Sequence, residues 1–86
     1  MARGDELVNE RDIASARLYY ERAADMGDGR GALRMGETFD PVFLDRADIR
    51  GTQGDEQEAL SWYRRASALG DAEAVRLLKN LDPHQP

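Results

Sequence analysis

Residues 54–81 read GDEQEALSWYRRASALGDAEAVRLLKNL, and they predict two amphipathic helices joined by a tight turn. Asp55 and Glu58 form a variant of the capping box at the start of the first helix. Apolar residues then recur at the three- and four-residue spacings of one helix face. Gly70 followed by Asp71 breaks this pattern, because glycine commonly ends a helix and aspartate commonly caps the next one. The stretch is therefore predicted to be a helical hairpin.

The same pattern occurs earlier in the chain at an offset of 43 residues, which places Tyr20 on Tyr63. The identical pairs are Asp12 and Asp55, Ala16 and Ala59, Tyr20 and Tyr63, Arg22 and Arg65, Ala23 and Ala66, Gly27 and Gly70, and Asp28 and Asp71. Most of these residues are helix caps, helix-contact alanines or a core aromatic. A repeat of about 20–50 residues is typical of a solenoid of stacked helix pairs.

The remainder of the chain predicts further helices at about residues 3–10, 13–26 and 29–38. Asp40-Pro41 interrupts the pattern, since proline disfavours helical geometry in the residue before it. The apolar residues 42–44 predict a short helical turn at 41–46 that folds onto the core, and Ile49 is the expected apolar anchor of the polar loop that follows. We expect a single domain over residues 1–82 and a disordered tail at 83–86.

Composition excludes several classes of partner. The 86 residues carry 12 basic and 17 acidic side chains, a formal net charge of −5. Nucleic acid is a poor candidate because phosphate binding needs a basic surface. No apolar run approaches the roughly 20 residues of a membrane span, so no membrane insertion is expected. The first residues lack the apolar segment of a signal peptide, and the location stays open between cytoplasm and periplasm.

No residue pattern predicts catalysis, a cofactor or a metal site. Ser15, Ser61 and Ser67 lie within predicted helices, and the single histidine, His84, lies in the predicted tail. Cysteine is absent, so a metal site would depend on that histidine and on carboxylates. Acidic pairs stand at helix starts, where the helix dipole explains them better than acid–base catalysis. The chain is predicted to be noncatalytic.

The neighbouring aromatic residues Trp62 and Tyr63 admit two interpretations. They could stack on a ligand, or they could pack inside the core. Helical spacing and the recurrence of Tyr63 as Tyr20 favour core packing.

A longer pattern extends from residue 31 to residue 71. Its members are Gly31, Met35, Gly36, Phe39, Asp55, Ala59, Trp62, Tyr63, Ala66, Gly70 and Asp71. This series resembles a Sel1-like repeat, which belongs to the tetratricopeptide-like helical repeats. One full repeat covers residues 31–70, with a half repeat on each side. Gly31, Met35 and Ser67 depart from the family pattern, and Lys79 stands where a next repeat would have glycine, so the array is expected to end there.

The resemblance implies an all-α fold, a short right-handed α-α solenoid of about five helices plus the helical turn at 41–46. It also implies a noncatalytic protein–protein interaction module that acts as a scaffold or adaptor. Bacterial members of the family often belong to signalling, envelope or secretion pathways. In the wider superfamily the first helix of each pair lines a concave groove.

Under that implication, the candidate groove residues are Arg30, Arg34 and Glu37, joined by Asn9 from the preceding groove helix. Arginines spaced four apart can hold a carboxylate or an acidic peptide by charge-assisted hydrogen bonds. The alternative interpretation is an ordinary solvated helix face.

A different class of function is self-association, or a structural role inside a larger bacterial signalling or envelope protein. So few repeats bury a continuous core poorly, because such arrays usually need about three. An exposed end face at Leu7, Val8, Leu18 and Tyr19 could then be covered by a second copy, giving a homodimer.

Overall fold

The structure is a computed structural model that describes residues 2–9 and 12–81, without the side chains of Asn9 and Leu81. Within these ranges the chain forms six α-helices and no strand. They are α1 (Ala2–Asn9), α2 (Ile13–Asp25), α3 (Gly29–Phe39), α4 (Pro41–Arg46), α5 (Glu56–Ala68) and α6 (Ala72–Leu81). The all-α solenoid fold is confirmed, and the turn predicted at 41–46 is a helix of its own. The predicted tail at 83–86, including His84, lies outside the described residues.

An aspartate begins every helix from α2 to α6 by accepting a hydrogen bond from a backbone N–H in the first turn. The capping residues are Asp12, Asp28, Asp40, Asp55 and Asp71. The predicted capping box on α5 forms only in one direction. Glu58 N–H donates to the Asp55 carboxylate at 3.2 Å, but Asp55 N–H donates to the carbonyl of Phe39 at 2.7 Å. The start of α5 is thus tied to the end of α3.

The turns after α2 and α5 share one geometry. Gly27 and Gly70 adopt left-handed φ angles of 89° and 95°, which glycine allows without strain. Asp28 N–H then donates to the Ala23 carbonyl, and Asp71 N–H donates to the Ala66 carbonyl, each at 3.0 Å. Gly27 and Gly70 are 43 residues apart, as are Asp28 and Asp71, which is the offset seen in the sequence.

The central helix is α3, which packs against α2 on one side and α5 on the other. The outer helices extend this order, since α1 packs on α2 and α6 packs on α5. The largest core cluster combines Ala24, Ala32, Leu33, Ala59, Tyr63, Ala66 and Ala74. A separate small cluster of Ile13, Leu44 and Ile49 fixes α4 and the following loop, so the predicted anchor role of Ile49 is confirmed.

Tyr20 and Tyr63 occupy equivalent positions in the stack. Each is almost fully buried, with 1% and 0% of its surface exposed. Tyr20 lies against Gly4 of α1, and Tyr63 lies against Gly36 of α3, so closely that a Cβ atom on either glycine would overlap the ring. Each hydroxyl donates a hydrogen bond to a carboxylate, Tyr20 to Asp5 and Tyr63 to Asp40.

Several predicted packing positions are wrong in detail. Val42 was expected on the core but is 51% exposed, because only Leu44 of α4 faces inward. Leu69 and Val75 were expected on the apolar faces of α5 and α6 but are 40% and 38% exposed. Leu7 was expected on an exposed face but is buried by its contacts with the Tyr20 cluster. Trp62 is half-buried and bridges two clusters.

We expect Gly36→Ala to lower the free energy of unfolding by about 1–3 kcal/mol, because the added methyl group overpacks the Tyr63 ring. The sign of this change distinguishes a close contact from an open site, because glycine to alanine at an open helical site stabilises the protein by about 0.5–1 kcal/mol. Urea unfolding followed by circular dichroism measures the difference. An unchanged or increased stability would contradict the proposed contact.

Candidate functional site

Two adjoining cavities form a groove along α3. The first, of about 170 Å³, is lined by Asp5, Val8, Tyr20, Arg34, Glu37, Thr38 and Phe43. The second, of about 190 Å³, is lined by Glu37, Asp40, Val42, Phe43, Arg46, Tyr63, Glu73 and Leu77. Because Glu37 and Phe43 line both cavities, the two lie side by side. The groove therefore spans α1, α3, α4 and α6.

Arg34 and Glu37 form the floor between the cavities. Arg34 Nη1 donates to Glu37 Oε1 at 2.7 Å, one turn along the same helix. Glu37 is buried although the sequence suggested a solvated face, and this burial raises its pKa above the ordinary value while Arg34 opposes the rise. The pair is thus an internal ion pair at the base of a concave surface.

The Nε atom of Arg34 is buried and lacks a hydrogen-bond partner among the described residues. The nearest acceptor recorded for it is Asp5 Oδ1 at 3.9 Å, and that oxygen already accepts the Tyr20 hydroxyl. A buried donor without an acceptor is unfavourable by roughly 1–3 kcal/mol. Arg34 therefore carries a buried donor that no described residue satisfies.

The other predicted groove residues are placed differently. Arg30 lines neither cavity; it is half exposed beside the start of α6, with Asp71 at 3.8 Å and Glu73 at 3.9 Å. The side chain of Asn9 lies outside the described residues. The structure thus brings Arg34 and Glu37 together in the groove and places Arg30 at its border.

Asp40 follows the end of α3, begins α4 and contacts α5 through one buried carboxylate. Its Oδ1 accepts the N–H of Val42 at 2.9 Å and so caps α4. Its Oδ2 accepts the Tyr63 hydroxyl at 2.7 Å. Burial raises the pKa of Tyr63, and the hydrogen bond to Asp40 raises it further.

Sequence reasoning missed most of the groove lining. The residues not predicted there are Asp5, Val8, Tyr20, Thr38, Asp40, Val42, Phe43, Arg46, Tyr63, Glu73 and Leu77. One signal was available: Asp40-Pro41 followed by an apolar run predicted a break and a short helix, and α4 supplies the wall at Phe43. The approach of Glu73 and Leu77 depends on how α6 stacks, which no local pattern reveals.

The structural repeat positions serve the core. Six of them are buried: Ala16, Tyr20, Gly36, Ala59, Tyr63 and Ala66. Two are half-buried, Ala23 and Trp62. The turns and caps are formed by Gly27, Asp28, Gly70 and Asp71. The described residues contain no group of three or more His, Cys, Asp or Glu side chains arranged to hold a metal ion. Among the described helices, none has the length and apolar character needed to cross a membrane.

Comparison with protein families gives one match. The model of the Sel1 repeat matches residues 4–28 and 44–71, which together make up more than half of the chain. Sel1 repeats are generally noncatalytic protein–protein interaction modules. Neither a curated protein nor a solved structure matches the chain.

We expect Tyr63→Phe to lower the free energy of unfolding by about 1–3 kcal/mol, because it removes the hydroxyl that satisfies one oxygen of the buried Asp40. Tyr19→Phe is the matched control, since Tyr19 is 42% exposed and such surface changes stay within about 0.5 kcal/mol. Urea unfolding of both variants measures the contrast. Equal stabilities of the two variants would contradict a stabilising role for the Tyr63–Asp40 bond.

Proposed function

The chain belongs to the Sel1 repeat family, and we propose that it binds an extended peptide segment of a protein partner in the groove along α3. The observation that carries this proposal is the pair of adjoining cavities that share Glu37 and Phe43. An extended segment can place successive side chains in neighbouring pockets while its backbone follows the groove.

The size of the cavities favours side chains over a small organic ligand. Drug-sized ligands and cofactors occupy pockets of about 300–1,000 Å³. The two cavities measure about 170 and 190 Å³, so each suits one or two side chains of a partner. Their walls are mixed, with Val8, Phe43 and Leu77 as apolar surface between charged groups.

A random peptide library selected against the full chain tests the groove. Peptides recovered from it are expected to bind Val42→Trp at least about tenfold more weakly than the unmodified chain, because the larger ring fills the second cavity from its wall. Met26→Trp is the matched control, since Met26 is 87% exposed and lines neither cavity. Equal weakening by both variants, or by neither, would reject groove binding.

We propose self-association as a second candidate, supported by the exposed pair Leu18 and Tyr19 on α2. The 43-residue offset places Tyr19 on Trp62, which is half-buried against the preceding hairpin. Tyr19 holds the equivalent position at the other end of the stack and is exposed. A hairpin of a second copy could cover it as the preceding hairpin covers Trp62.

Sedimentation velocity over a range of concentrations tests this candidate. Self-association predicts a mass that increases with concentration and a weaker increase for Tyr19→Lys. Met26→Lys provides the control, because Met26 is exposed at the end of α2 without an equivalent packing role. A monomer at all concentrations would eliminate the candidate and leave groove binding unaffected.

A further inference from the structure

Asp40 is a buried carboxylate at the second cavity, and its recorded hydrogen bonds come from neutral groups. Only 5% of its surface is exposed, yet it lines the second cavity. Both its hydrogen-bond donors are neutral, the Tyr63 hydroxyl and the Val42 N–H. The described residues provide no ion pair for it. Burial of an unpaired charge is unfavourable, so this carboxylate favours a cation in the adjoining space.

Two further carboxylates face the same cavity. Glu37 and Glu73 line it together with Asp40, and the single guanidinium in the lining is Arg46, which is exposed at the end of α4. The charges of Asp40, Glu37 and Glu73 contribute to the raised pKa of Tyr63, after burial and the hydrogen bond to Asp40. Three carboxylates therefore line the cavity against one guanidinium.

Two arginines near this cavity pair with its carboxylates Glu37 and Glu73 and not with Asp40. Arg34 pairs with Glu37 at 2.7 Å and lines the first cavity rather than the second. Arg30 lies 3.9 Å from Glu73 and 3.8 Å from Asp71, at the border of the groove. Neither arginine is recorded within salt-bridge distance of Asp40.

The walls suit a long side chain with a charged end. Val42, Phe43 and Leu77 provide apolar surface, and the carboxylates provide the polar end. Lysine and arginine have this form, since their aliphatic stems pack on apolar groups while the charged head reaches acceptors. The face of Phe43 is also suited to a cation, because aromatic rings attract positive charge.

We propose that the second cavity binds a lysine or arginine side chain of the partner, with its charged head at Asp40 and Glu73 and its stem against Phe43 and Leu77. That this side chain belongs to an extended partner segment in the groove rests on the proposed function. The partner is thus basic at this position, whereas the two arginines in the sequence suggested an acidic one.

The test uses small probes on the full chain. Nα-acetyl-arginine methylamide is titrated into isotopically labelled protein, and backbone amide resonances are followed by NMR. We expect saturable shifts at Asp40, Phe43 and Leu77, and binding about tenfold weaker for the uncharged citrulline analogue, since charge-assisted bonds are about twice as strong as neutral ones. Added salt is expected to weaken the arginine probe because it screens the exposed part of the attraction.

A matched pair of variants separates the site from general acidity. Glu73→Gln removes a partly exposed carboxylate of the cavity and is expected to weaken the arginine probe by about threefold to tenfold. Glu21→Gln removes the same charge from the exposed side of α2 and is expected to leave the affinity unchanged. Equal effects of the two variants, or equal binding of arginine and citrulline probes, would overturn the proposal.

The peptides selected for the groove distinguish this inference from the proposed function. Both are supported if the selected peptides bind the groove through a lysine or arginine and if Glu73→Gln weakens that binding. Groove-binding peptides without such a residue overturn the cationic site and leave the groove intact. Saturable arginine binding without any groove-binding peptide supports the cationic site and rejects its use for an extended partner.

Discussion

The close contact between a glycine on one helix and a tyrosine ring on the next is the constraint on which this stack depends. It occurs between Gly4 and Tyr20, and again between Gly36 and Tyr63. A side chain on either glycine would push the helices apart, and the tyrosine would lose its buried position. Each hydroxyl then needs an acceptor because it is buried, and each finds a carboxylate. Packing and polar satisfaction are therefore coupled in both contacts, between α1 and α2 and between α3 and α5.

The hairpins themselves could be predicted because their signals are local. Asp55, Gly70 and Asp71 mark helix ends by their own backbone chemistry, and the apolar spacing gives the buried face between them. The same reasoning identified Tyr20 and Tyr63 as core residues, since a recurring aromatic at helical spacing needs burial. Exposure at the ends of the stack was not predictable in this way. Leu69 and Val75 follow the apolar pattern, but 40% and 38% of their surfaces stay exposed.

The groove could be predicted only in part, because its electrostatics depend on contacts between helices distant in sequence. Arg34 and Glu37 were placed on the correct helix, where their ion pair is a local contact one turn apart, but the burial of Glu37 depends on the neighbouring elements that line the two cavities with it. Asp40 is the clearest example. In the sequence it is a helix breaker before Pro41, whereas in the structure it also accepts the hydroxyl of Tyr63, 23 residues away. No spacing rule connects those two residues before the hairpin is folded.

The difference between the two glycine–tyrosine contacts explains why the groove lies where it does. For Tyr20 the acceptor is Asp5, adjacent to Gly4 on the same helix. For Tyr63 the acceptor is Asp40, which follows the end of α3 and begins α4. The hydrogen bond of Tyr63 thus ties the start of α4 to the stack, and Phe43 of this helix forms part of the groove wall. Asp40 and Phe43 fall, with α3, between the two segments that match the Sel1 repeat, whereas the groove residues Asp5 and Arg46 lie inside those segments. The groove therefore combines side chains from matched and unmatched parts of the chain.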